Sequence, residues 1–376
     1  MRKMRNIFNN IIKKIPLGNY IILESIPICT GNTKAVFDEM IIQKLNQRYK
    51  FVWWPSSNPC FGRIDNVMYP NENKKIDMLL FKYYKKRAKC IICENRFVES
   101  YRRNQLSFFL GHGTPLKDSS SYYKMPSNID YFIIASEWLE KIDRRVFCVD
   151  DAVHIVALGF PRNDELVAKK IDLNKVFGEK FHKFVGWYPT FRQQLNSTLQ
   201  YSGKSIPIID DYNTAFEVNE LAKELGILII IKPHFAQDVH YIRNMELSNI
   251  RFIDDNFLIE KGITSYEFIG SCDALLTDYS SIYYDYLLCN KPIGMILEDI
   301  DKYTELTKLI DEFDYISSAA TKIYSLNDFK KFLMDLSNEK DDMLHKREEI
   351  CKLVNYSNDG KNTERVTRFI ISEAGL

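Results

Sequence analysis

The chain has 376 residues, 45% of them hydrophobic and 13% aromatic, and carries 51 basic against 50 acidic side chains. Such a length exceeds what one hydrophobic core serves efficiently, so two domains are expected, and the composition excludes a disordered chain. A net charge of +1 excludes a protein built as a whole to coat nucleic acid.

Along the first turns, Met4, Ile7, Phe8, Ile11, Ile12 and Ile15 fall on one helical stripe, beside Arg2, Lys3, Arg5, Lys13 and Lys14, and no acid precedes Glu24. A greasy stripe with concentrated positive charge is the pattern of a helix lying in an anionic membrane interface, so residues 1–18 are expected to form one. The same stripe also suits a first helix packed on the protein's own core. No apolar run reaches the length of a membrane span and no signal-peptide pattern opens the chain, so the protein is expected inside the cell, at the cytoplasmic face of the membrane.

From Tyr20 onward, short β-rich runs alternate with amphipathic stretches. Strands are expected at 20–24, 49–54, 89–94, 105–110, 129–135 and 154–159, with helices at 33–46 and 74–87. Cys90 and Cys93, in the run Cys-Ile-Ile-Cys, invite a redox or zinc reading. No second pair or nearby histidine cluster completes it, and buried thiols in a reducing compartment are the plainer account. A second series follows, with strands at 183–188, 227–232, 250–254, 274–277 and 292–297, helices at 213–225, 265–271 and 280–288, and closing helices at 326–336 and 339–376. Strand, helix, strand implies parallel sheets with helices on both faces: an α/β protein of two similar units, 19–165 and 166–376, with a ligand cleft between them.

Five segments could carry chemistry. Gly111-His112-Gly113-Thr114-Pro115-Leu116-Lys117 follows an apolar strand; its glycines allow a sharp turn and close ligand approach, and a histidine there can take a proton at neutral pH. The plain alternative is a turn histidine bonded to its own backbone. Arg162-Asn163-Asp164 and Pro189-Thr190-Phe191-Arg192 each offer an arginine that can fork onto phosphate oxygens, or merely form a surface ion pair. Lys232-Pro233-His234 ends a very apolar strand in a cation and a histidine. Thr277-Asp278-Tyr279-Ser280-Ser281 leads into a helix, putting Asp278, Ser280 and Ser281 at its N-terminus as an anion site or as ordinary caps, with Asp285 one turn on, able to accept from ligand hydroxyls.

Taken in order, these segments resemble the CDP-glycerol glycerophosphotransferase family, which primes and polymerises teichoic acids and related capsular polymers. The resemblance runs from about Tyr20, where Glu24-Ser25 and Gly31-Asn32-Thr33-Lys34 are similar to the family's opening strand and loop, through Asp285. It implies the GT-B architecture of two facing Rossmann-like domains, 19–165 on the acceptor side and 166–376 on the CDP-donor side. It puts Gly111 to Pro115, Arg162, Arg192, Lys232, Pro233, His234, Ser280, Ser281 and Asp285 around the donor. His112 is similar to the family's catalytic histidine and His234 to the one facing the pyrophosphate. Gly111 and Phe191 stand where a tryptophan is usual, and Lys232 where an arginine is usual.

The implied reaction is in-line attack by a hydroxyl of a polymeric or lipid-linked acceptor on the phosphorus next to the polyol in CDP-glycerol or a related CDP-polyol, which moves the polyol phosphate onto the acceptor and expels CMP. His112 would take the acceptor proton; His234, Arg162, Arg192 and the Ser280 and Ser281 helix end would hold the departing charge. No tightly bound cofactor or metal site is expected, because no acidic cluster has metal spacing, while magnesium accompanying the nucleotide stays open. Two rival readings remain at this stage. One is a GT-B transferase of nucleotide sugars, and the other is an inactive membrane scaffold of envelope-polymer assembly, against which the intact pair His112 and His234 argues.

Overall fold

The computed structural model describes residues 15–57, 62–168, 170–190, 206–209, 211–233 and 245–376. It divides into two compact units: the first takes in the chain through Thr114, Ser120–Asp164 and Tyr356–Leu376, the second Pro115–Ser119 and Glu165–Asn355. The helix expected at 1–18 lies, up to residue 14, outside the described residues.

In the first unit seven strands run parallel: β1 (Tyr20–Glu24), β2 (Lys50–Trp53), β3 (Val67–Met68), β4 (Cys90–Cys93), β5 (Leu106–Phe109), β6 (Tyr131–Ile134) and β7 (His154–Ala157), in the order β3-β2-β1-β4-β5-β6-β7. The central strands are covered on both faces, which is why they read as unbroken apolar runs. Cys90 packs with Ile21, Leu23, Phe51 and Trp53 on one face, whereas Cys93 packs with Ile22, Val52 and Ile91 on the other. Opposite faces rule out a shared metal or a disulfide for this pair, and burial pushes both thiols up to about 12.

The second unit has six parallel strands: β8 (Lys183–Tyr188), β9 (Ile227–Ile231), β10 (Ile250–Phe252), β11 (Ala274–Thr277), β12 (Ile293–Ile296) and β13 (Thr321–Ile323), ordered β10-β9-β8-β11-β12-β13. Every residue of β9 is buried. One core layer joins Trp187, Ile229, Ile231 and Leu276 to Val218 and Ala222 of the helix Tyr212–Glu224 and to Phe329 and Leu333 of the helix Leu326–Ser337. The starts of these helices are fixed locally: Asp211 accepts from Asn213 N and Thr214 N, Ser325 from Asp328 N, and Thr264 with Glu267 forms a reciprocal capping box on the helix Ser265–Ser271.

The structure departs from expectation in several places. The helix placed at 33–46 runs Gly31–Ile42 and stops because Lys44 adopts a left-handed φ of 60°. The segment 280–288 holds only a short helix, Ile282–Tyr286, continued by a 3₁₀ turn, Leu287–Cys289. The stretch from Glu339 onward splits into Leu344–Val354 and Asn362–Ala374 around Gly360, whose φ is 68°. That last helix, assigned from sequence to the second domain, belongs to the first unit. Its apolar residues Val366 and Ile370 complete the layer that contains Ile21, Phe37 and Phe51. The carboxylate of Asp164 accepts from Asn362 N (2.9 Å) and Thr363 N (2.8 Å), taking up two of the helix's first amides. Among the described residues, no helix is long and apolar enough to cross a membrane.

Candidate functional site

Each sheet reverses its strand order beside its first strand, between β1 and β4 in one unit and between β8 and β11 in the other. Ligands of open α/β sheets bind beyond the carboxyl ends of the strands at such points. Both switch points are crowded with polar side chains that the apolar strands deliver there.

At the first, Glu24 closes β1 and Glu94 follows β4, both buried. One Glu24 oxygen accepts from the backbone amides of Glu94, Asn95 and Arg96 at 3.0–3.1 Å, pinning the turn after β4. Glu94 reaches back across the switch point and accepts from Thr33 N at 3.0 Å. Gly31 is required here: its φ is 66°, and a Cβ would lie 2.1 Å from Glu94 Oε1. Asn32, fully buried, donates to the Gly111 carbonyl (2.8 Å) and accepts from Arg162 N (3.1 Å), joining three distant segments.

His112 and Arg162 sit on this frame. Gly111, with φ 63°, turns the chain out of β5, and Gly113 follows with φ 124°. The Arg162 guanidinium donates to the His112 carbonyl (2.8 Å) and stands 3.8 Å from Glu94 Oε1. His112 Nδ1 faces the Glu94 carbonyl at 3.4 Å. A carbonyl oxygen only accepts, so this contact assigns the proton to Nδ1 and leaves Nε2 as the ring's acceptor. Burial, and then the Arg162 charge, hold the imidazole below its ordinary value, so it is neutral near pH 7. Burial pushes the Glu94 carboxyl up to about 7, against the opposing pull of Arg162 and of the Thr33 and Asn32 amides. A neutral, oriented imidazole beside a guanidinium is an arrangement that can accept a proton while positive charge stands close by.

The rest of the glycine-rich segment divides. Thr114, buried in the first unit, has a hydroxyl with no partner among the described residues. Pro115 belongs to the second unit, where its carbonyl accepts from Tyr284 Oη (3.4 Å). Arg162 is buried, not the surface ion pair that sequence left open, and Asp164 beside it serves the last helix.

At the second switch point, Asp278 ties β11 to β8 by accepting from Thr190 N at 2.9 and 3.0 Å and from the Thr190 hydroxyl at 2.5 Å. Ser281 occupies the N-cap position of the helix Ile282–Tyr286 in an α-helical conformation without a side-chain capping bond, and Ser280 precedes it, both half-buried. Asp285 is 1% exposed and accepts from Tyr266 Oη at 2.6 Å, a buried tether and not the open acceptor expected for ligand hydroxyls. Lys232, just beyond β9, pairs with Asp255 at 2.8 Å, and Pro233 follows it. Arg192 and His234 lie outside the described residues. Among the described residues no group of three His, Cys, Asp or Glu side chains is placed to hold a metal ion.

Glu24, Asn32 and Glu94 are the site residues that reasoning from chemistry missed. The resemblance had marked the segments that hold Glu24 and Asn32 without giving them a role, Glu94 showed only as a polar residue ending an apolar run, and a separation of 70 positions hid the pairing of Glu24 with Glu94.

Comparison with known proteins adds to this geometry. A polymerase of poly(glycerol phosphate) teichoic acid from Staphylococcus epidermidis is 25% identical over 315 residues, 73% of this chain and 39% of its own. A teichoic acid glycerol-phosphate primase from Bacillus subtilis is 21% identical over 197 residues, 52% of this chain and 47% of its own. The chain thus spans less than half the length of these two relatives. Among solved structures, the wall teichoic acid polymerase TagF superposes with a TM-score of 0.70 at 21% identity, covering 99% of this chain and 93% of that one. The shared α/β architecture of two Rossmann-like units is that of the GT-B class. The model of the CDP-glycerol:poly(glycerophosphate) glycerophosphotransferase family matches residues 8–372, and the chain belongs to that family.

Proposed function

We propose that this protein transfers glycerol phosphate from CDP-glycerol to a hydroxyl of a teichoic-acid-like polymer or its lipid-linked primer, releasing CMP. The observation that carries the reading is His112: neutral, turned out of β5 between two glycines, with its proton held on Nδ1 and Arg162 at its carbonyl. Family membership supports the donor and the reaction class.

In the proposed reaction the acceptor oxygen attacks the phosphorus next to the glycerol, the bond from that phosphorus to the CMP oxygen breaks, and the acceptor proton passes to His112 Nε2. Positioning and charge neutralisation supply most of the rate in such transfers. Arg162 holds the His112 loop and adds positive potential. Arg192, His234 and the Ser280 and Ser281 turn take the charge that grows on departing CMP. Lys232 contributes less than a free cation, since Asp255 already offsets it. The reading gives the protein no tightly bound cofactor; magnesium, where it takes part, arrives with the nucleotide. It also places the enzyme on the cytoplasmic face of the membrane, held by the apolar stripe Met4 to Ile15 and the cations beside it.

The test is incubation of the purified protein with CDP-glycerol, CDP-ribitol or a nucleotide sugar and lipid-linked primers, followed by mass analysis of products. Release of CMP with a primer heavier by glycerol phosphate supports the proposal. Transfer from a nucleotide sugar, or no CMP release with any primer or polymer, overturns it.

A further inference from the structure

The helix Lys75–Arg87 is built inside out. A surface helix normally buries its apolar stripe, yet here Ile76, Leu79 and Leu80 are 67%, 63% and 39% exposed, while only Phe81 is fully buried. At 100° per residue, Ile76, Leu79 and Leu80 form one continuous stripe on the solvent side that ends at the half-buried Tyr83, and the exposed Lys75 and Lys82 run along its flank. The helix has a single acid, Asp77, and that carboxylate is turned to the Asn71 amide at 2.9 Å. An exposed apolar stripe of this kind on a folded unit marks a contact surface.

We infer that this helix is a second membrane-docking face, which lays Ile76, Leu79 and Leu80 into an anionic bilayer interface with Lys75 and Lys82 on the phosphate layer. Charge selects the occupant. Residues 1–14, which adjoin the described residues 15–18, carry Arg2, Lys3, Arg5, Lys13 and Lys14 without an acid, and like charges oppose their covering the stripe. Position agrees as well. Arg87 at the helix's end donates to the Pro16 carbonyl (3.1 Å) and its own carbonyl accepts from Gly18 N (2.8 Å), while Arg102 donates to the Ile15 carbonyl (2.5 Å). Residues 15–18 are therefore held against the end of this helix, and the basic N-terminal stretch joins the first unit at that point. Two such elements bind far better than either alone, as with any pair of weak anchors on one body.

The inference rests on the membrane placement proposed above but draws on different residues, and the experiment separates the two. The full-length protein is sedimented with phosphatidylglycerol vesicles and with phosphatidylcholine vesicles, alongside a triple variant, Ile76→Ser, Leu79→Ser, Leu80→Ser. The expected result is binding to the anionic vesicles only, reduced about tenfold or more in the triple variant, with its melting temperature and its activity on a soluble acceptor unchanged. Equal binding of the variant overturns this surface while leaving the N-terminal anchor intact; failure of the parent protein to bind overturns the membrane placement as a whole. A second arm follows thiol labelling at Leu79→Cys by peptide mass spectrometry. Rapid labelling in the free protein and protection by phosphatidylglycerol vesicles are expected. Protection without vesicles means that the stripe is covered by residues 1–14, or, where it grows with protein concentration, by a second copy, and either result overturns the inference.

Discussion

Replacing Glu94 by Gln tests the site through its electrostatics. In the folded protein the Glu94 carboxyl titrates at about 7, against 4.5 for an ordinary glutamate, because burial outweighs the pull of Arg162 and the Thr33 and Asn32 amides. A carboxyl raised in this way contributes its full stability below pH 4.5, where both states are protonated, and loses it as pH rises through about 7. At ~1.4 kcal/mol per unit, the 2.5 units between those values amount to about 3 kcal/mol withdrawn from the native state by pH 8. Gln reproduces the neutral form and does not titrate. The variant should therefore gain about 3 kcal/mol on the parent between pH 4.5 and pH 8, while losing turnover, since Arg162 then faces an uncharged amide at the point where it holds the His112 loop. Urea titrations across that range, read through protection of β1 and β4 amides, give the two curves; subtracting them cancels other buried groups such as Asp143, which burial raises to about 8. Parallel curves would refute the placement of Glu94 as a buried, strained anion, and unchanged CMP release would refute its service to His112.

His112→Ala should lower CMP release by roughly 10²–10⁴ while sparing donor affinity; in the parent, the acid limb of the rate profile should fall below the ordinary histidine value of 6.5, because burial and Arg162 depress it. Gly31→Ala forces a left-handed φ on a side chain whose Cβ collides with Glu94, so the first unit should lose about 1–3 kcal/mol or more and turnover with it, checked by thermal melting and CMP release. Asp278→Asn removes the charge from the Thr190 bonds and should cost the second unit about 1.5–3 kcal/mol in chemical denaturation. Replacing Ser280 and Ser281 together by Ala should weaken CDP-glycerol binding by a similar amount in calorimetry; unchanged affinity in the folded double variant would return them to a structural turn.

The strands were legible because a parallel strand buried on both faces must be apolar throughout: Tyr20–Glu24, Lys183–Tyr188 and Ala274–Thr277 stand where the pattern puts them. Val67–Met68 and Thr321–Ile323 escaped notice because edge strands of so few residues bury too little to leave an apolar run. Amphipathicity revealed that the residues after Glu339 are helical, but it does not say which of two cores a stripe such as Val366 and Ile370 will join. Within the site, His112 and Arg162 announced themselves by residue type. The groups that fix them did not, because Asn32, Glu24 and Glu94 act through backbone atoms of distant segments, and such bonds leave no local pattern.

The return of Asn362–Ala374 to the first unit governs the order in which the chain can fold during synthesis. The second unit, from Glu165 to Asn355 with Pro115–Ser119, is wholly made while the first still lacks Val366 and Ile370, and while the Asp164 carboxylate has no helix to hold. Domains ordinarily mature from the N-terminus as the ribosome releases them. Here the unit that begins first finishes last, and the His112 frame, built on strands whose apolar layer the last helix closes, reaches its final packing only after the residues near 374 have left the exit tunnel.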